Sequence, residues 1–310
     1  MKTSKNSITN DRYFIVLLIC LLIATLAWKL IPAANQRIQT YLNIPTPTPD
    51  LVKQQELASN EVLPEKFDLG VSFGDSIIRL VASGAIDKDK FIKVYEGRTD
   101  LTSEQRKLLD EPSDKTIIVT KENAGFILNL LWPLGIANKT NVLSQGPMGT
   151  QYKNEVGNFA STGGWTLGKK EGGKLFNKYA IIYLSSEQEA LVMEISKHIY
   201  RPCCGNSTFF PDCNHGAAML GFIELAVAQG VAKEEIYKKA LILNSFWFPQ
   251  TYVELAIYFK ELKNTSWNNV DPKLVLGVDY SSGQGYQAIN KELTDKGLIL
   301  KATGGGGCGV

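Results

Sequence analysis

Residues 216–229 read GAAMLGFIELAVAQ, and Glu224 is the only charge in the run. As a helix this stretch has no face suited to water, so it must be surrounded by other elements. Gly230 follows and stops it, because glycine takes the left-handed turn that closes helices. The neighbouring text supplies partners. Ser186 and Glu189 form a capping box that starts a helix running to about Tyr200. Residues 232–243 and 250–262 read as two more helices, separated by NSFWFP.

The preceding half is mixed. Residues 75–83 read as a short helix closed by Gly84, 87–95 as another, and Thr102 with Gln105 caps a third. TIIVT (116–120) is a strand pattern, and the helical run 122–131 is ended or kinked by Pro133. Eight glycines in 146–173 mark loop and turns, and KYAIIYL (178–184) reads as a second strand. No repeat appears, which excludes a solenoid. The expected class is α+β, helix-dominated, with few strands: a membrane-anchored globular domain with a buried central helix. An α+β part spans 66–185 and a helical part 186–303.

The anchor is read from the amino end. Residues 13–28 (YFIVLLICLLIATLAW) carry no charge and follow Lys2, Lys5 and Arg12. Leu30 and Ile31 extend the run if Lys29 snorkels, giving about 19 residues, or roughly 28 Å of helix. Tyr13 and Trp28 then sit near the two interfaces. Segment 13–31 is therefore expected to be a retained signal anchor, with 1–12 a cytoplasmic tail and 32–65 a linker containing the Pro/Thr stretch NIPTPTPD. The body is then extracytoplasmic and meets an oxidising compartment. Cys20 is apolar filler within the anchor.

With 33 Lys+Arg against 31 Asp+Glu, the net charge is +2. No basic excess marks a nucleic-acid binder. Hydrophobic residues, at 44%, exclude a disordered chain. The uneven distribution is elsewhere: His198, His215, Cys203, Cys204 and Cys213, which include both histidines, fall within eighteen residues.

Pro202 ends the helix from Ser186, and Cys203 and Cys204 follow at once. Cys213, Asn214 and His215 stand at the mouth of the buried helix, with Asn214 or Asp212 as the expected N-cap. A helix N-terminus presents free N–H groups and partial positive charge, so a thiol placed there is driven toward thiolate. His215 can donate to a thiolate or bind a metal. His198 lies four residues after Glu194, where a pair on one helix face would satisfy it. Cys308, behind four glycines, sits on an arm with a reach of roughly 13 Å from Ala302, as suits a resolving or delivering thiol.

Adjacent cysteines have Cα atoms about 3.8 Å apart, short of the roughly 4.4–6.8 Å of an ordinary disulfide. A Cys203–Cys204 bridge would therefore be strained. Three readings follow. The first is thiol–disulfide exchange by Cys203, Cys204, Cys213 and Cys308, with a thiol-containing protein as partner. The second is binding or delivery of a thiophilic ion, copper or zinc, by Cys203, Cys204, Cys213 and His215. The third is a disulfide-stapled, non-catalytic partner-binding domain. A cysteine hydrolase using Cys213 or Cys204, a histidine and Asp212 or Asn214 is a further arrangement. In the lead reading Cys204 or Cys203 attacks, Cys213 is activated by the helix N-terminus, and Cys308 resolves.

The segment resembles the CcmH-type thiol subunit of cytochrome c maturation over about residues 195–259. Cys204-Gly205-Asn206 matches the C-x-N end of that family's R-C-x-x-C-x-N motif, and Gly230, Ala232, Glu235 and Ile236 resemble its G-x-S-x-x-E-I turn. The resemblance implies a membrane-anchored helical domain that handles protein thiols, with Cys204 as an active thiol. The C-x-x-C itself is not matched, since its first cysteine falls on Arg201; Cys213 and His215 are additional.

GGWTLGK (163–169) fits the phosphate-loop spacing, but Lys170 replaces the Ser/Thr that holds magnesium and EGGK does not open a helix, so no nucleotide site is expected. Asn138, Asn206 and Asn264 match the glycosylation acceptor pattern, which has meaning only in a eukaryotic secretory chain.

Overall fold

The computed structural model describes residues 49–97 and 99–299. The expected tail (1–12), anchor (13–31), residues 32–48 of the linker, Cys20 and the glycine-rich arm with Cys308 (304–310) lie outside the described residues. The chain divides into Met1–Val52 and Lys53–Val310, and the core belongs to the second unit. Among the described residues no helix is long and apolar enough to cross a membrane.

The elements run α1 (Pro49–Val62), β1 (Phe67–Gly74), α2 (Ser76–Ser83), α3 (Lys88–Tyr95), α4 (Ser103–Lys107), β2 (Ser113–Val119), α5 (Ala124–Ala137) and α6 (Asn141–Gln145). After a 3-10 turn, Lys153–Asn158, come α7 (Gly172–Leu175), α8 (Ser186–Ser196), α9 (Asn214–Ala228), α10 (Lys233–Trp247) and α11 (Pro249–Lys263). A second 3-10 turn, Trp267–Asn269, precedes α12 (Pro272–Val275), α13 (Val278–Ser281) and α14 (Gly283–Asp295). Among the described residues the fold is helix-dominated, with one two-stranded sheet, as α+β requires.

The centre is α9. Every residue from His215 to Val227 is buried, and Gly230 closes the helix with φ 75°. Its main neighbour is α5, and glycines set how closely the two approach. A Cβ on Gly135 would lie 1.8 Å from the Ala217 carbonyl oxygen, and one on Gly221 would lie 2.4 Å from that of Leu131. Only glycine fits at either position. The far end of α9 holds the sheet: Gln229 Oε1 accepts from Ser72 N–H at 3.0 Å, and its Nε2 donates to Ser72 C=O at 2.8 Å.

In β1, Leu69, Val71 and Phe73 face inward, and Ile117 and Val119 of the antiparallel partner β2 do the same. The pairing is irregular near Gly70 and Gly74, both at positive φ. Those glycines hide the strand in the sequence, because they read as turns.

Several expected boundaries are corrected. Residues 178–184 form no strand; the N–H groups of Ile181 and Ile182 both donate to the side-chain oxygen of Asn138, at 2.9 Å each. That asparagine is wholly buried, which removes it as a glycosylation acceptor. Pro133 does not end α5. Eleven of the helix's fourteen residues are buried, and tertiary packing outweighs the lost hydrogen bond. Helix α8 is capped by Ser185 with Gln188, one residue earlier than expected, and stops at Ser196. The capping residue expected at N3, Glu189, instead accepts from Asn141 N–H at 2.8 Å. Helix α10 runs on to Trp247, so only Phe248 separates it from α11. Part of the expected linker, from Pro49 to Val62, is helix.

Candidate thiol site

The cysteine loop begins where α8 ends. Tyr200 and Ser207 pair as an antiparallel bridge, and Thr208 donates to Ile199 C=O through both N–H and Oγ1. Among the outside contacts that fix the loop, three come from later in the chain. Tyr200 N–H donates to Leu276 C=O at 2.8 Å, Asn244 Nδ2 donates to Tyr200 C=O at 3.0 Å, and Gly283 N–H donates to Cys204 C=O at 2.8 Å. Asn244 is held in turn by the Tyr252 hydroxyl, which contacts Ser281. The loop is thus braced by α10, α11 and the carboxyl-terminal helices.

Its organiser is Arg201, 1% exposed. Nε donates to Cys213 Sγ at 3.0 Å, Nη1 to Asn206 C=O at 3.0 Å, and Nη2 to Phe210 C=O at 3.0 Å and to the Asp212 carboxylate. Four of the five guanidinium N–H groups are therefore engaged. Asp212 is oriented from its other oxygen by Asn206 Nδ2 at 2.8 Å. Burial alone would lower the arginine's pKa, but the surrounding sulfurs of Cys213 and Cys204 and the Asp212 carboxylate raise it. Gly216 makes room for this group: a Cβ there would lie 2.5 Å from Arg201 Cζ.

Cys213, and neither Asn214 nor Asp212, caps α9, its Sγ accepting from Gly216 N–H at 3.4 Å. Cys203 Sγ lies 3.5 Å from Cys213 Sγ. Donation by the thiols of Cys203 and Cys204, then the Arg201 charge, hold Cys213 well below the ordinary thiol pKa despite its burial. The same contacts work the other way on the donors. Cys203 is pushed up by its hydrogen bonds to Cys204 and Cys213 and by burial. For Cys204 the Cys203 contact pulls downward, but Cys213 and burial outweigh it and the pKa reaches about 11. Cys213 thus has a lowered pKa between two cysteines whose pKa values are raised, with the Cys203 sulfur beside it and a buried cation against it. All three cysteines are free.

His215 is also in the cluster, 5% exposed. Its ring packs on Phe248, with centroids 4.4 Å apart, and near Trp247 at 5.9 Å. Its Nδ1 has no hydrogen-bond partner. Two sets of ligand atoms converge within 4.8 Å: Cys203, Cys213 and His215, and Cys204, Asp212 and Cys213. The expected set of Cys203, Cys204, Cys213 and His215 therefore lies in one small volume, overlapping at Cys213, with Asp212 added. His198 is apart; its Nδ1 contacts the Glu194 carbonyl at 3.0 Å, while the Glu194 carboxylate pairs with Lys233.

Sequence reasoning misses Arg201. Its signal is the residue type itself: an arginine two positions before a cysteine pair, in a segment leading into an apolar helix, supplies the cation that a thiolate needs. Comparison with protein-family models, curated proteins and solved structures finds no match to this chain.

Proposed function

We propose that this protein is a membrane-anchored, extracytoplasmic thiol protein whose body exchanges disulfides through Cys203 and Cys213. The supporting observation is the 3.5 Å separation of the two sulfurs, with Arg201 Nε 3.0 Å from the Cys213 sulfur. A thiolate beside a protonated thiol is the reduced form of an exchange couple. In the forward direction the Cys213 thiolate attacks one sulfur of a substrate disulfide and forms a mixed disulfide. The substrate's second sulfur leaves as thiolate and takes a proton from solvent. Cys203 then loses its proton and attacks the Cys213 sulfur; the Cys203–Cys213 bond forms and the substrate leaves as a dithiol. Two electrons pass from protein to substrate, and the reverse sequence oxidises a dithiol. Cys204, whose Sγ lies 3.8 Å from Asp212 Oδ1, can accept the bridge from Cys213, and Cys308 can resolve it from the tail. The resemblance to CcmH-type proteins at Cys204-Gly205-Asn206 agrees with a protein thiol as substrate.

The test is thiol mapping by mass spectrometry on full-length protein equilibrated with reduced and oxidised dithiothreitol. A reversible Cys203–Cys213 bond supports the reading. Cysteines permanently blocked and inert to mild reductant would end it.

A second reading is favoured by the unpartnered Nδ1 of buried His215: the same sulfurs, with a ring nitrogen, hold a thiophilic ion such as copper(I) or zinc. Stoichiometric metal after anaerobic purification, lost in a Cys203→Ser/Cys213→Ser variant, supports it. Metal that this variant retains excludes it.

A further inference from the structure

The glycine-rich stretch that fails as a phosphate loop forms one wall of a cavity of about 770 Å³ on the body. Lys90, Lys153, Lys169, Lys170 and Lys174 line it, against a single carboxylate, Glu171. Five of the chain's 33 basic residues thus converge on one cleft, although the net charge is only +2. Gathering like charges in a cleft costs free energy and focuses a positive field into it.

The five ammonium groups are unequally occupied. Lys90 Nζ donates to Gly168 C=O at 2.8 Å, Lys170 Nζ reaches the Tyr179 hydroxyl at 3.4 Å, and Lys174 pairs with Glu171 at 3.0 Å. The side chains of Lys153 and Lys169 make no ion pair or hydrogen bond among the described residues. The backbone N–H groups of Thr166, Gly168 and Lys170 likewise donate to nothing within the described chain. Two ammonium groups and three backbone N–H groups on this wall are therefore without a partner among the described residues. The wall is also firmly built. A Cβ on Gly173 would lie 2.9 Å from Gly157 Cα, and one on Gly172 would lie 2.1 Å from Thr162 C=O. The two sides of the loop touch backbone to backbone, and buried Trp165 anchors it by donating from Nε1 to Ala85 C=O at 2.8 Å.

We propose that this cavity binds a small soluble anion bearing two or more phosphate groups. Ammonium groups act as point charges on phosphate oxygens, and free backbone N–H groups supply directional bonds. The volume lies in the range of small-molecule sites, about 300–1,000 Å³, so it takes the phosphate groups and an organic part attached to them. A single phosphate cannot engage donors spread over the whole wall. The site shares no residue with the thiol cluster and does not depend on its chemistry.

The test is isothermal titration of the full-length protein with inorganic pyrophosphate and tripolyphosphate, with monophosphate and sulfate as controls. Saturable one-to-one binding is expected, tightening from monophosphate to tripolyphosphate. Lys153→Gln/Lys169→Gln weakens it by about tenfold or more, as loss of charge-assisted contacts requires. Both lysine side chains lack partners, so this variant keeps its thermal midpoint. Glu171→Gln removes the opposing carboxylate and binds at least as tightly as wild type. The proposal is overturned if no saturable binding occurs, if sulfate matches pyrophosphate, or if the double variant binds unchanged. Binding to anionic phosphatidylglycerol vesicles without binding of soluble pyrophosphate also overturns it, since the charge would then serve a lipid surface.

Discussion

Replacing Gly216 by alanine leaves every charged and sulfur atom of the thiol site in the chain yet displaces its organiser. The new methyl would lie 2.5 Å from Arg201 Cζ, 2.6 Å from Nη2 and 2.8 Å from Nε, closer than any stable contact. The guanidinium has to withdraw, and its bond to Cys213 Sγ breaks. A hydrogen bond to a charged group contributes about 1.5–3 kcal/mol. At about 1.36 kcal/mol per pKa unit, the Cys213 pKa should rise by about one to two units. Displacing Arg201 also strips its partners Asp212, Asn206 C=O and Phe210 C=O; breaking a buried ion pair costs about 3–5 kcal/mol. The assay is the rate of iodoacetamide alkylation at Cys213 against pH, read peptide by peptide in wild type and Gly216→Ala, with a denaturant melt alongside. An unchanged alkylation midpoint in a folded variant refutes the claim that Arg201 holds the thiolate. Arg201→Lys supplies a second reading. It keeps the charge but loses the fork, so the Cys213 midpoint should lie between those of wild type and Arg201→Gln.

Three further outcomes follow from the same contacts. The depressed pKa of Cys213 means that the unfolded chain binds more protons, so stability rises with pH from the folded value toward the ordinary thiol value of about 8.5. Raised Cys203 and Cys204 reverse this contribution above that value; the gain of wild type over Cys213→Ser in denaturant midpoint should therefore grow with pH up to it, Glu224 being common to both chains. Glu224 is wholly buried, with Oε2 accepting from Asn138 at 3.0 Å and Oε1 unpartnered, and desolvation holds its pKa well above the usual carboxyl range. A raised acid loses stability as pH climbs, so Glu224→Gln should gain on wild type by about 1.4 kcal/mol per pH unit above the ordinary carboxyl value, until the folded value is reached; a pH-independent difference between the two melts contradicts this. Gly135→Ala drives a methyl to 1.8 Å from the Ala217 carbonyl, and separating α5 from α9 should cost on the order of 3 kcal/mol in a urea melt, where a loss under about 1 kcal/mol would mean that the helices part freely.

What the sequence shows and what it hides divide along physical lines. Helix α9 is legible because burial on all sides leaves its mark on every residue, and Gly84, Gly230, Asp87 and Thr102 mark ends through local chemistry. Non-local contacts override such signals elsewhere. Pro133 looks like a stop, and only the packing of α5 on α9 shows why the helix continues. Residues 178–184 have strand composition, but Ile181 and Ile182 spend their N–H groups on Asn138 and Lys178 and Tyr179 spend theirs on the Ala137 carbonyl. Strand β1 carries two glycines that suggest turns. At the site, Cys203, Cys213 and His215 are legible as a cluster because they fall within thirteen residues of one another. The cap is not, because a cysteine seldom does what Asn214 and Asp212 do by default. Arg201 is hidden most fully: its role depends on Gly216, fifteen residues away, leaving the space it fills.

The most direct measurement is the redox titration of Cys203 and Cys213 in the full-length protein, read as alkylated against disulfide-linked peptide over a graded thiol buffer. A two-electron transition that links these two sulfurs, and shifts when Gly216→Ala displaces Arg201, is the predicted result. Independent alkylation of both cysteines across the whole range, with no linked peptide at any potential, would contradict the exchange couple.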